Sequence, residues 1–274
     1  MTANFLVVGA HPDDPDIRAG GLACAAAEAG HSVRFVSMTD GRAGHHEQHG
    51  DALVERRRAE AAAAANEAGL EEYRVLDAQD GRLRPNLERR EELIRLLREF
   101  SPDIVFTHRL DDYHPDHRYT AQLVRDAAYM VTVPNVCPDV PPLAENPAFG
   151  SLYDAFDRPT PFDPDLLVPI DDETLARKYD VLDCHESQMY EWLPYNKGDL
   201  EAVPEDPSAR REWLETDPIT GLAEMRDAAD RYRDRLVERY GTDRGPEIEY
   251  VEPFEITEYG AELPSNLRDW FDAV

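Results

Sequence analysis

The stretch "VVGAHPDDPD", Val7–Asp16, decides the fold prediction, because an apolar strand here runs directly into a histidine and two adjacent carboxylates. Proline and aspartate are also favoured where a turn opens a helix, and that alone would explain the stretch if it stood by itself. However, "YHPDH" at Tyr113–His117 repeats the histidine–proline–aspartate order far along the chain, again after a predicted strand. Two such stretches together point to a shared site.

Strands and helices alternate through the first half of the chain. Alternation at this spacing predicts a parallel sheet with crossover helices. We therefore expect an α/β fold with a Rossmann-like, mostly parallel sheet flanked by helices. Strands are predicted over Asn4–Gly9, Ser32–Met38, Tyr73–Leu76 and Asp103–Thr107, and helices over Ala19–Ala29, Val54–Glu67, Leu87–Phe100 and Asp116–Met130.

The second half of the chain has a different character. Thr132–Pro169 holds nine of the 21 prolines and shows little periodicity, which indicates a long ordered loop or subdomain over the sheet. Later segments predict helices over Asp171–Cys184 and Pro204–Tyr240 and an edge strand over Glu247–Ile256. We expect one domain over 1–274, in which 1–130 is the Rossmann-like core and 131–274 completes it with loops and helices.

The charge of the chain excludes some partners. The 274 residues carry a formal net charge of −28, and all basic residues except Lys178 and Lys197 are arginine. Affinity for phosphate backbones comes from basic patches, so nucleic acid and anionic membranes are not expected partners. So large a charge is typical of a halophilic protein, in which salt screens self-repulsion; a solvated acidic face is the other interpretation.

No targeting or disulfide signal is present. The apolar run at the N-terminus is too short for a signal peptide, and no segment reaches the length of a membrane helix. The three cysteines, Cys24, Cys137 and Cys184, show no CxxC spacing. We expect a cytoplasmic protein, and the segment 131–274 could cover a partner subunit in a homo-oligomer.

Seven of the nine histidines follow predicted strands one, two and four. In the strand order 3-2-1-4-5, strands one and four are neighbours at the switch point, where open α/β sheets bind ligands. His11 and Asp14 are three residues apart, as are His114 and His117, so each pair can share one face of a helical turn.

Histidine and carboxylate side chains in this number suit a catalytic zinc site, which uses three protein ligands and keeps a position for water. A neighbouring carboxylate can take the proton of that water, and a further histidine can stabilise an oxyanion. The residues thus predict a metal-dependent hydrolase, and zinc could be replaced by another divalent transition metal.

The sequence resembles the PIG-L/LmbE-like deacetylases, which remove acetyl groups from N-acetylglucosamine conjugates and related compounds. The resemblance rests on six motifs over roughly residues 4–190: "GAHPDD", "GG" at Gly20–Gly21, "RRAE" from Arg57, "DG" at Asp80–Gly81, "HPDH" from His114 and "CHESQ" from Cys184.

The resemblance implies a role for each matching residue. The metal ligands would be His11, Asp14 and His117. The general base would be Asp13, His114 would stabilise the tetrahedral intermediate, and Asp116 would orient the histidines. Substrate contacts would come from Arg57 and Asp80, and Arg42 stands where relatives place an acid, so it could meet an anionic group.

The predicted activity is removal of an N-acetyl group from an N-acetylated sugar conjugate or related small molecule, by water activated on Zn²⁺. Two alternatives stay open: an amide hydrolase acting on a non-sugar small molecule, and a non-catalytic sugar- or nucleotide-binding protein with the same fold. An aromatic cluster, Tyr190, Trp192 and Tyr195, either lines a sugar pocket or belongs to the core.

Overall fold

A computed structural model describes residues 2–216 and 222–274 of the chain. Its first four strands coincide with the apolar runs of the sequence. The strands are β1 (Asn4–Gly9), β2 (Ser32–Thr39), β3 (Glu72–Ala78), β4 (Ile104–Thr107), β5 (Ala148–Leu152), β6 (Leu166–Pro169) and β7 (Val251–Ile256). The helices are α1 (Asp14–Glu28), α2 (Gly50–Ala68), α3 (Leu87–Phe100), α4 (Pro115–Ala128), α5 (Asp172–Asp183), α6 (Leu193–Lys197), α7 (Pro207–Thr216), α8 (Leu222–Arg231), α9 (Arg233–Arg244) and α10 (Ser265–Ala273).

The described strands form one sheet in the order β3-β2-β1-β4-β5-β7-β6. Strands β3, β2, β1, β4 and β5 pair in parallel, and β7 runs antiparallel to both β5 and β6. The predicted Rossmann-like, mostly parallel sheet flanked by helices is confirmed, with the strand order 3-2-1-4-5 that places β1 beside β4.

Alternating side chains of β1 divide the core into two layers. Phe5 and Val7 pack into the cluster that contains α1 residues such as Leu22, whereas Leu6 and Val8 pack into the cluster on the α3–α4 face. Helices α1 and α4 therefore leave their strands toward opposite faces of the sheet. This divergence opens a crevice at the carboxyl ends of β1 and β4.

Three sequence predictions about the second half need correction. The helical stretch predicted over Pro204–Tyr240 is divided among α7, α8 and α9, and its part at 217–221 lies outside the described residues. The proline-rich stretch is not only loop, since it contains β5 and β6. The strand β7 is not at the edge, because it lies between β5 and β6. Its alternating charges misled the prediction: Glu252 points into the protein, where it is only 2% exposed.

The buried carboxylate of Glu252 fixes α1 to β7. It accepts hydrogen bonds from the backbone N–H of Gly21 (2.9 Å) and Leu22 (2.7 Å), just after a kink in α1 at Ala19. The ammonium of Lys178, from α5, lies 2.6 Å from the same carboxylate. A Cβ on Gly21 would come within 2.9 Å of the carboxylate, so the close approach of β7 requires glycine here.

No helix in the described parts of the chain combines the length and the hydropathy needed to cross a bilayer.

Replacing Lys178 with methionine should destabilise the fold by about 3–5 kcal/mol, because it leaves the Glu252 carboxylate buried without its cation. The double variant Lys178→Met/Glu252→Gln should cost less than the two single changes added together. Chemical denaturation measures both.

The matched control is the surface pair Arg95–Asp139, where Asp139→Asn should leave the denaturation midpoint nearly unchanged because exposed pairs contribute little. Equal effects of the buried and the surface variants would contradict a structural role for Lys178.

Candidate active site

A cavity of about 540 Å³ opens at the carboxyl ends of β1 and β4. These strands pair in register, with Val8 opposite Thr107, so the segments that follow them emerge side by side. Both histidine–proline–aspartate stretches line the cavity. The convergence that the sequence analysis expected is present in the structure.

Asp14 is the hub of the site. Its Oδ2 accepts hydrogen bonds from the backbone N–H of Ala10 (2.9 Å) and His11 (2.7 Å). Its carboxylate oxygens lie 3.3 Å from His11 Nδ1 and 3.4 Å from His117 Nε2. The start of α1 thus holds one carboxylate between imidazoles from two distant parts of the chain.

A second carboxylate fixes the far nitrogen of each imidazole. His11 Nε2 lies 3.2 Å from Asp80 Oδ1 and 3.6 Å from Asp116 Oδ2. His117 Nδ1 lies 3.0 Å from Asp112 Oδ1. Carboxylate partners of this kind orient metal-ligating histidines, so each ring presents its other nitrogen toward Asp14.

The carboxylates also set the protonation of the two imidazoles when no ion is bound. Burial disfavours their charged forms, but Asp14, Asp116 and Asp80 together outweigh it and hold the pKa of His11 well above its ordinary value. For His117, burial is likewise outweighed by its contacts with Asp14 and Asp112, which raise the pKa of this imidazole to about 9. The site is therefore built to hold positive charge at its centre.

The side chains present fit a divalent cation. His11, His114 and His117 each offer a ligand atom within 4.8 Å of one another, and so do Asp14, His108 and His117. In addition, His108 Nε2 and Asp14 Oδ2 both accept a hydrogen bond from the backbone N–H of Ala10. These two acceptor atoms lie only 3.2 Å apart. Two acceptors that face each other in this way are stabilised by a cation between or beside them.

Asp13 lies beside this centre and lines the cavity. Its Oδ1 accepts a hydrogen bond of 2.7 Å from Arg57 Nη2, and both side chains are buried. Arg57, which we expect to contact the substrate, is a residue of α2 that lines the cavity and lies against the carboxylate of Asp13. The guanidinium fixes the position of that carboxylate at the wall of the cavity.

His114 occupies the N-cap of α4. Its Nδ1 accepts a hydrogen bond of 3.2 Å from the backbone N–H of Asp116, so the neutral ring carries its proton on Nε2. Its ring centroid is 4.7 Å from that of His11. Burial, and then the charge of His11, lowers the pKa of His114, which favours the neutral ring.

Asp116 is almost completely buried beneath the site. Its Oδ2 accepts a hydrogen bond of 2.7 Å from the backbone N–H of Gly81 and faces His11. Asp80 accepts from the N–H of Ala43 (3.2 Å), and its contact with His11 outweighs burial and lowers the pKa of Asp80 to about 2. Asp80 therefore stays ionised across the physiological range.

Arg42 does not reach the cavity. Its Nε donates a 2.7 Å hydrogen bond to Asp40, and the residue is not among those that line the cavity wall. The aromatic cluster is divided: Trp192 lines the cavity, Tyr190 is in the core, and Tyr195 stacks on His46 at 4.1 Å.

Sequence reasoning assigned no role to two residues of the site, His108 and Asp112. His108 follows β4 directly, and its ring stacks on that of His117 at 4.0 Å between centroids. Burial lowers the pKa of His108 to about 4, so this ring is neutral. The available signal was spacing, because His108, Asp112, His114 and His117 form one cluster after a buried strand.

The "CHESQ" segment supports the site from behind. Ser187 Oγ donates to Glu60 of α2 at 2.5 Å, and Gln188 donates to the carbonyl of Gly44 at 3.0 Å. His185 is fully buried and lies 3.1 Å from Asp16. Because Ser187 is bound to a carboxylate inside the protein, the geometry gives it no role as a nucleophile.

Comparison with known proteins agrees with the sequence motifs. Residues 6–128 match the family model described as PIG-L: GlcNAc-PI de-N-acetylase. We call residues 6–128, which match this model, the PIG-L segment. This PIG-L segment runs from β1 to the end of α4, so it contains both histidine–proline–aspartate stretches together with Arg57 and Asp80. The resemblance drawn from the motifs is confirmed.

A curated relative is the diacetylchitobiose deacetylase of Thermococcus kodakarensis. It is 31% identical over 137 residues, which cover 47% of this chain and 51% of the relative. The chain thus spans about half the length of this relative in the alignment.

Solved structures share the fold over nearly the whole chain. The N,N'-diacetylchitobiose deacetylase of Pyrococcus horikoshii is 24% identical, with a TM-score of 0.70 over 94% of this chain and 84% of its own. The 4-carboxy-2-hydroxymuconate hydratase GalB of Pseudomonas putida is 22% identical, with a TM-score of 0.66 over 94% of this chain and 96% of its own. The fold accordingly accompanies different reactions, and the chemistry has to be argued from the site.

His117→Ala should weaken binding of Zn²⁺ or Co²⁺ by more than about 100-fold, because it removes a nitrogen that faces Asp14. Asp112→Ala should weaken it by about 10- to 100-fold, the usual cost of losing the partner of a ligating histidine. Competition with a chromophoric chelator measures both affinities.

His49→Ala is the control for these variants, since His49 is an exposed histidine at the start of α2 and should leave the affinity unchanged. Equal affinities of the His117 and His49 variants would show that His117 does not bind the ion.

Proposed function

We propose that this protein is a Zn²⁺-dependent hydrolase that removes the acetyl group from an N-acetylated amino sugar. The observation that carries the proposal is that His11 Nδ1 and His117 Nε2 both approach the carboxylate of Asp14, at 3.3 and 3.4 Å, with Asp13 in the same cavity. The family description and the named deacetylase relative support an N-acetylglucosamine-containing substrate.

His11 Nδ1, His117 Nε2 and one oxygen of Asp14 would hold the ion, and a catalytic site with three protein ligands keeps a position for water. When bound, a divalent ion lowers the pKa of its water and polarises the carbonyl of the substrate. Another divalent transition metal can serve the same donor set.

Asp13 would take the proton from the attacking water. Its carboxylate lines the cavity, and Arg57 Nη2 fixes it with a hydrogen bond of 2.7 Å to Oδ1. A general base has to stand within hydrogen-bond reach of the proton that it removes, and a fixed base keeps that distance. Arg57 would thus act through Asp13 as a positioning residue.

His114 would donate a hydrogen bond from Nε2 to the carbonyl oxygen as negative charge develops on it. The backbone contact at Nδ1 leaves that proton available on the neutral ring. The oxygen of the water adds to the carbonyl carbon, the C–N bond then breaks, and the leaving nitrogen takes a proton. The products are acetate and the free amine of the sugar.

Asp116 would keep His11 oriented, since it faces the Nε2 of that ring while it is anchored on the backbone of Gly81. Asp80, on the same nitrogen, would share this role and line the sugar end of the cavity. Arg42 is left out of the proposed machinery because Asp40 holds it outside the cavity.

Asp13→Asn should lower kcat for acetate release by about 100- to 10,000-fold, because the amide has the shape of the carboxylate but cannot take the proton. The variant should still bind one divalent ion, since Asp13 is not among the proposed ligands. Asp111→Asn, an exposed neighbour of the site, serves as the control. Full activity of Asp13→Asn would remove Asp13 from the mechanism.

Dialysis against a chelator should abolish acetate release from N,N'-diacetylchitobiose, and added Zn²⁺ should restore it. A panel of N-acetyl amino acids and N-acetyl amino sugars, assayed for released amine, separates the alternatives. Preference for the amino acids would indicate an amide hydrolase acting on non-sugar molecules, and no release from any compound would indicate a binding protein.

A further inference from the structure

Two exposed aromatic rings lead outward from the site. Tyr113 is 71% exposed and Phe156 is 38% exposed, yet both line the cavity. The ring of Tyr113 lies 5.5 Å from that of His117 and 6.3 Å from that of Phe156, measured between centroids. They form a continuous apolar strip, here called the Tyr113–Phe156 strip, that begins beside the proposed metal ligands.

The cavity wall includes a further aromatic side chain, which is held in place. Trp192 lines the cavity, stacks on Tyr195 at 6.1 Å, and Tyr195 in turn stacks on His46 at 4.1 Å. Exposed aromatic side chains that share a cavity mark a ligand-binding surface more often than chance exposure does.

The arginines that line the cavity are engaged by neighbouring carboxylates. Among the described residues, four cationic side chains and six carboxylates line the cavity. Each of the three arginines is paired with a carboxylate of the same wall: Arg18 with Glu224, Arg57 with Asp13 and Arg109 with Asp154. The fourth cation, Lys197, is an exposed residue at the end of α6.

Because each cavity arginine is already engaged by a carboxylate, an anionic substituent on the substrate would find none of these guanidinium groups available to pair with it. An uncharged ring needs no such pairing, and the aromatic strip offers it apolar contact. The volume of about 540 Å³ is within the range of small-molecule sites and exceeds the need of a single acetamide.

We propose that the Tyr113–Phe156 strip is a subsite for an uncharged ring attached to the N-acetylated sugar, bound with its flat apolar face against the two aromatic side chains. This proposal rests on the proposed function, since it takes the acetamide to lie at the centre formed by His11, Asp14 and His117. The PIG-L segment covers residues 6–128, and Phe156 lies outside it. The subsite is therefore built partly by the rest of this chain.

The test is calorimetric binding to the Zn²⁺-loaded protein in an Asp13→Asn background, which prevents turnover. The ligands are N-acetylglucosamine, N,N'-diacetylchitobiose, phenyl N-acetyl-β-glucosaminide and N-acetylglucosamine 1-phosphate. The disaccharide and the phenyl glycoside should each bind about tenfold more tightly than the monosaccharide, and comparison of the two separates a sugar ring from an aryl ring. Adding Phe156→Leu, or independently Tyr113→Leu, should remove most of that gain.

Tyr129→Leu is the matched control, because Tyr129 is also 71% exposed but does not line the cavity. It should leave all four affinities unchanged.

Two results would overturn the subsite. In the first, the 1-phosphate binds most tightly and loses that binding in Lys197→Met; in the second, the monosaccharide and the two-ring ligands bind with equal affinity. If the binding pattern holds but the protein with Asp13 intact releases no acetate, the proposed function fails and the subsite stands.

Discussion

The structure of the site depends on one carboxylate, that of Asp14, placed where two strands end side by side. Backbone N–H groups of Ala10 and His11 fix it, and imidazoles from both halves of the PIG-L segment approach it within 3.4 Å. Such a cluster is stable only when positive charge lies at its centre. The other carboxylates serve this arrangement by orienting the far nitrogens of the rings.

Neutral pairing is the second constraint on the cavity. The chain is strongly acidic, yet its cavity arginines are used against neighbouring carboxylates and not held free for a ligand. The pair Arg57–Asp13 matters most, because the guanidinium of Arg57 positions the carboxylate of the proposed base. In the proposed subsite, recognition of the substrate would accordingly rest on the Tyr113–Phe156 strip and not on charge.

The sequence was sufficient for the parts that depend on local pattern. Alternating strands and helices predicted the parallel sheet, and the repeated histidine–proline–aspartate order predicted that His11 and His117 meet. Other features depend on contacts between distant residues. The position of β7 follows from its pairing with β5 and from the buried ion pair between Glu252 and Lys178. The position of His108 follows from where β4 ends in the sheet. A lone arginine on a helix likewise gave no sign that Arg57 would be buried.

The central claim is that His11, Asp14 and His117 jointly bind one divalent ion. The most direct measurement is an anomalous difference map, collected at the zinc absorption edge, from crystals of the Zn²⁺-loaded protein. The account predicts a single peak per chain within bonding distance of His11 Nδ1, His117 Nε2 and an oxygen of Asp14, with at least one further position held by water. A peak elsewhere, or one whose coordination is completed by a fourth side chain, would contradict it.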